Sequence, residues 1–125
     1  MYASMGIARE DKARRREWFA RNFGFFDAPV GLFCYTHQIM GPPQWSDLGM
    51  FLQTLMLLLR AEGLDSCAQE CWSIYPETVR ALTGAPDDLV LFCGMAIGFR
   101  NPDAAVNSFP QARLPVDEFA SFRWS

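Results

Sequence analysis

The longest apolar pattern in the chain covers residues 48–59, LGMFLQTLMLLL, and its polar neighbours follow a helical repeat. Ser46, Asp47, Gln53, Thr54, Arg60 and Glu62 recur about every seven residues, or two helical turns, and so form one narrow seam. The pattern predicts one long helix that starts at Trp45 or Ser46, with Ser46 or Asp47 as its N-terminal acceptor. Gly63 fits the left-handed residue that ends it. At roughly 1.5–3 kcal/mol for each large side chain buried, such a helix must be covered by a sheet on one face and by something else on another. The chain is short of material for both, which predicts oligomerisation. Gly49 is read as allowing close backbone approach.

The remaining elements are expected to pack on that helix or lead into it. Residues 8–22, AREDKARRREWFARN, predict a surface helix that begins near Ser4 or Gly6, with Trp18 and Phe19 on one side. Its Arg14, Arg15 and Arg16 read either as a solvated face, the commoner arrangement, or as an anion site. Residues 30–36, VGLFCYT, are a continuous β-prone run and predict a strand buried on both faces. Gln38 to Gln44, with Gly41-Pro42-Pro43, predict a loop before the long helix. Residues 64–72, LDSCAQECW, carry neither helical nor strand periodicity and predict an irregular segment. Pro76 opens a short helix that reaches Leu82 and ends at the turn around Gly84. Residues 89–99, LVLFCGMAIGF, predict a second buried strand. Gly94 and Gly98 would share one face of it and let a helix or a planar ligand come close. From Arg100 onward the chain reads as an extended arm with Phe119, Phe122 and Trp124 as aromatic anchors.

Composition narrows the classes of function. The chain has 125 residues, half of them hydrophobic, which predicts one domain with one core. Eleven Phe and four Trp exceed the needs of a small core and suggest a flat apolar ligand, a subunit interface or a partner. A net charge of −3 gives no support to a role with nucleic acid or an anionic membrane. The apolar run is too short and too interrupted to span a bilayer, so a soluble, cytoplasmic protein is expected. Cys34, Cys67, Cys71 and Cys93 form no CxxC pair, and His37 is the only histidine, so reduced, mostly buried thiols are expected rather than a zinc site. Nucleophilic catalysis would need His37 as its base, and nothing in the sequence ties it to a Ser or Cys. A Walker loop and a GxGxxG after a strand are both absent. The sequence favours a binding site built mainly from backbone, with one or two charged anchors.

Five segments in order carry a resemblance: WSDLG, GLDSCAQECW, PETVRALTGAPDD, LFCGMAIGF and RLP, with FDAPVGLFCYT ahead of them. Together they resemble the C-terminal part of the FMN-dependent nitroreductase family, over about residues 25–119. The resemblance implies an α+β fold with a three-layer α/β/α core, its sheet packed on the long helix and its C-terminal arm exchanged across an intertwined homodimer. It implies FMN as cofactor, NAD(P)H as co-substrate, and a ping-pong passage of electrons to nitroaromatics, quinones or related acceptors. By position, Ala68, Gln69, Glu70 and Cys71 resemble the segment whose backbone borders the flavin ring near N5. Arg113 resembles the arginine that contacts the FMN phosphate, and Gln111 stands where many relatives carry a basic residue.

The family usually begins with a helix bearing an Arg-Ser-x-Arg-like motif, and nothing before Ala8 matches it. The resemblance therefore implies a single nitroreductase-like domain, N-terminally truncated. A second reading remains beside the enzyme: a non-catalytic core that acts as a dimerisation or interaction module.

Overall fold

A computed structural model describes residues 1–108 and 110–124. A 3-10 turn over Tyr2–Met5 ends at Gly6, which takes a left-handed conformation with φ 66°. The first helix, α1, therefore starts later than residue 8 and covers only Lys12–Ala20. Asp11 fixes that start, because its carboxylate accepts the amide of Arg14 at 3.0 Å. A 3-10 segment, Arg21–Asp27, continues from α1. It ends in three consecutive left-handed residues, Phe25, Phe26 and Asp27, with φ between 51° and 66°.

Strand β1 (Val30–His37) leads through a loop to the long helix α2 (Pro42–Ala61). The helix begins three residues before Trp45. Pro42 and Pro43 occupy its first turn, where no intrahelical N–H is needed, so the prolines start the helix instead of breaking it. Ser46 and Asp47 are not its caps: the Gln44 side chain accepts the Gly41 amide at 3.1 Å. Gly63, φ 78°, ends it as predicted. The short helix α3 (Pro76–Thr83) also ends on a left-handed glycine, Gly84.

Residues 64–72 depart most from the sequence reading. They hold a strand, β2 (Asp65–Gln69), followed by a 3-10 turn over Glu70–Ile74. Strand β3 (Leu89–Gly98) lies between the other two in the order β1-β3-β2, and both pairings are antiparallel. Polar Asp65 and Ser66 hid β2 because it borders solvent on its outer side, where strand periodicity carries little burial signal. Cys34 faces Cys93 and Tyr35 faces Leu91, which leaves Phe92 as a bulge.

One face of the sheet packs on α2. Leu32, Cys34, Cys93, Met95 and Ile97 meet Leu48, Leu52, Leu55, Met56 and Leu59 there. The other face is covered by α3 and by the two 3-10 segments, whose aromatic rings form the layer. Phe25 stacks on Trp72 at 4.8 Å, and Phe33 meets both rings edge-on. Gly31 and Gly94 make room for that layer: a Cβ on either would run into the ring of Phe25 or Trp72. Gly98 makes room for Pro29. The cleared face thus receives aromatic and proline rings of the chain itself, not a helix.

Two expectations about burial change. Strand β1 is not buried on both faces; only Cys34 in it is buried, because β1 is an edge of the sheet formed by the described residues. The outer face of α2 is open, with Met50, Phe51, Leu57 and Leu58 each 56–62% exposed. Gly49 lies against nothing, since a Cβ there would meet no atom within 4 Å. In the arm, Phe122 and Trp124 stack on each other at 6.0 Å, and Trp124 is 89% exposed.

Candidate functional site at the end of strand β2

Strand β2 enters and leaves the sheet under tight control. At its start, Asp65 accepts from Arg60 of α2 at 2.8 Å and from the amide of Arg100 at 3.3 Å. The helix end, the edge strand and the exit of β3 are thereby tied together. At its far end, Gln69 is 2% exposed and pairs with Gly94 across the ladder. Its Nε2 donates to the Asn22 carbonyl at 2.9 Å and lies 3.3 Å from Asn22 Oδ1. Its Oε1 accepts from Trp72 Nε1 at 3.3 Å. A buried amide needs such partners, because leaving one unpaired costs about 1–3 kcal/mol.

Of the four residues predicted in this segment, Gln69 has a buried side chain that acts as a structural joint to Asn22 and Trp72. Ala68 and Glu70 are exposed, and Cys71 is half-buried. Ser73 Oγ donates to the Glu70 carbonyl at 2.7 Å and closes the 3-10 turn. The outer side of β2 has no strand partner among the described residues, so alternate peptides offer N–H and C=O groups there. The open backbone here is the outer edge of a strand, where the sequence reading expected an irregular segment.

Cys34 and Cys93 are buried and Cys71 is half-buried, whereas Cys67 is exposed. Burial raises the Cys71 pKa, the amides of Cys71 and Trp72 partly offset this, and the neighbouring Cys67 adds to the rise. Burial also raises Cys93, to about 11, with Cys34 and Glu70 adding their charge. Thiols held protonated in this way are poor nucleophiles. His37 is engaged elsewhere: its Nδ1 accepts the Ile39 amide at 3.3 Å and its Nε2 lies 3.2 Å from Asp88. Among the described residues no cluster of His, Cys, Asp and Glu could hold a metal ion. No helix among them is long and apolar enough to cross a membrane.

Gln111 and Arg113 lie exposed in the arm. Arg113 Nη1 donates to the adjacent carbonyl of Ala112 at 3.2 Å. No hydrogen bond or ion pair among the described residues joins either of them to residues 68–71. Sequence reasoning missed Asn22 and Trp72, which hold Gln69, and the left-handed turn that brings Phe25 onto Trp72. The one local signal is Asn22-Phe23-Gly24, at the end of the predicted first helix.

Comparison with known proteins places these features in a wider set. The family model described as "Nitroreductase family" matches residues 4–99. The chain is 36% identical to chloronitrobenzene nitroreductase of Comamonas testosteroni over 94% of its length and 52% of that protein. It is 34% identical to nitrobenzene nitroreductase of Ectopseudomonas oleovorans, over 95% and 52%. Among solved structures, the FMN and NADPH-dependent nitroreductase NfnB from sphigopyxis sp. strain HMH superposes with TM-score 0.94 at 52% identity, over 99% of this chain and 56% of that one. The FMN-dependent nitroreductase NfnB from Mycobacterium smegmatis in complex with NADPH superposes with TM-score 0.94 at 31% identity, over 98% and 55%. The chain spans about half the length of the curated relatives it matches.

Proposed function

This chain belongs to the nitroreductase family, and from that premise we propose that it is a cytoplasmic oxidoreductase that binds FMN and uses NAD(P)H to reduce nitroaromatic, quinone or similar acceptors in a ping-pong cycle. The observation that supports this most is the superposition at TM-score 0.94 and 52% identity on a protein described as FMN and NADPH-dependent. The α+β core, with α2 on one face of the sheet and the aromatic layer on the other, superposes on 56% of that protein.

The residues present fit the edge of a flavin through backbone rather than side chains. Bound FMN would accept hydride and hold two electrons, and the protein's share is to bind and orient it. Ala68, Glu70 and Cys71 border the open side of β2, where peptide N–H groups can meet a ring nitrogen or carbonyl. Gln69 fixes the path of that backbone from below, through Asn22 and Trp72. Arg113 supplies a guanidinium able to grip a phosphate with two parallel hydrogen bonds, with Gln111 as a neutral neighbour.

The same reading makes the protein a homodimer. The open apolar face of α2 would pack against its counterpart, and the arm after Arg100 would lie across the partner. The test is direct: purified chain titrated with FMN should take up flavin and become yellow, and Arg113→Ala should weaken that uptake about tenfold or more. A chain that stays colourless with FMN present overturns the proposal.

A further inference from the structure

The antiparallel register of β1 on β3 sets two of the four cysteines directly opposite each other, Cys34 against Cys93. Residues opposed in such a ladder point to the same face of the sheet. Their Cα atoms lie roughly 4.5 or 5.5 Å apart, according to whether the pair is hydrogen-bonded. Both spacings fall inside the range of roughly 4.4–6.8 Å that a disulfide spans. The two side chains also share one environment, the buried cluster beneath α2, with Leu52 and Met95. Both are free thiols.

The register singles out this pair. Cys67 lies opposite Ala96, which stands three residues on from Cys93 and so points to the other face of the sheet. Cys71 lies in the 3-10 turn after β2, outside the ladders. Beside the Cys34–Cys93 pair the register shifts, between Cys34 and Tyr35. A bulge interrupts the hydrogen-bond ladder, and β1 is an edge of the sheet formed by the described residues. At that point β1 can therefore adjust against β3 more readily than a central strand could.

We propose that Cys34 and Cys93 are an oxidisable pair, closed into a cross-strand disulfide by exchange with a low-molecular-weight disulfide such as oxidised glutathione. The proposal is independent of the flavin and of its acceptor. Cys34 reacts first, because it is on the edge strand and 8% exposed against 2% for Cys93. Its thiolate attacks one sulfur of oxidised glutathione, which forms a mixed disulfide and releases one glutathione. The Cys93 thiolate then attacks the Cys34 sulfur and expels the second glutathione. Two protein thiols are oxidised to one disulfide, one glutathione disulfide is reduced to two thiols, and the two protein protons end on them. Burial raises the pKa of both protein thiols, so closure is slow at neutral pH and quickens as pH rises. The product staples the edge strand to the centre of the sheet behind α2. It closes a long loop of chain and so stabilises the fold under oxidising conditions, reversibly.

The experiment incubates the full chain with oxidised glutathione at mildly alkaline pH and alkylates the remaining thiols. Intact mass, a peptide map and the melting temperature are then measured. Protein carrying Cys67→Ala and Cys71→Ala should lose two hydrogens and give one peptide pair joined through Cys34 and Cys93. Its melting temperature should rise by roughly 5–15 °C and return to the starting value with dithiothreitol. With Cys34→Ala added, the protein should neither lose hydrogens nor melt higher. The first variant keeps both facing thiols and decides the matter even where Cys34→Ala fails to fold. Glutathione adducts without a cross-link, thiols that stay unoxidised in the folded protein, or a cross-link that lowers the melting temperature would each overturn the proposal.

Discussion

The indole of Trp72 fills the space above Gly94 that any Cβ would need, and its Nε1 reaches across to Gln69, the residue that faces Gly94 in the ladder. Three residues from two strands and a turn thus share one small volume. Gly94→Ala should destabilise the fold by about 1–3 kcal/mol, because the indole is pinned by Phe25, Phe33 and Gln69 and cannot move aside. In urea denaturation the double variant Gly94→Ala with Trp72→Phe should lose less than the sum of the single losses, since the smaller ring leaves room. Strict additivity would count against this packing.

The left-handed turn makes a second prediction. Asp27 has φ 66°, a conformation that Asn tolerates and a β-branched residue does not. Its ion pair with Arg21, 3.0 Å long, is exposed and contributes at most about 1 kcal/mol. Asp27→Asn should therefore be nearly neutral, whereas Asp27→Val should lower the melting temperature clearly. A melting temperature unchanged by Asp27→Val would show that the turn does not hold this backbone.

How far the sequence reaches can be judged from these same residues. The 3.6-residue pattern located α2, and glycines at its end and at that of α3 marked their stops, because helices leave local signals. Strand β3 was visible as a continuous apolar run because it is the buried centre of the sheet. Strand β2 was not, since an edge strand with polar Asp65, Ser66 and Gln69 has no period to detect. The Asn22–Gln69 contact joins residues 47 apart in sequence, and no local pattern encodes such a pair. The sequence reading singled out Ala68, Gln69, Glu70 and Cys71 for their backbone, but gave no sign that the Gln69 side chain is tied to Asn22 and Trp72.

Alkaline pH should test the core. Cys93 is fully buried and its pKa is raised from 9.0 to about 11. Below pH 9 the thiol is protonated whether folded or unfolded. Between 9 and 11 the unfolded chain releases the proton while the folded chain retains it, so stability should fall as pH rises. Melting temperatures from pH 8 to 11 should show this decline, and Cys93→Ala should make it shallower. A slope unaltered by that change would assign the decline to other groups.

The open face of α2 bears on assembly. Leu57 is 61% exposed and stands beside Leu58, with Met50 and Phe51 two turns earlier. Leu57→Glu would set a carboxylate into any interface formed there. Sedimentation should find wild-type dimers and Leu57→Glu monomers; monomers in both cases would remove α2 as the contact.

The strand order β1-β3-β2 also sets a schedule for synthesis. Neither β1 nor β2 pairs with the other; each waits for β3, the last of the three to be made. A ribosome must therefore release β3 before either of these two ladders can close. Until then α2 can coil but has no sheet to rest on, and its leucines are the natural target of a holding chaperone.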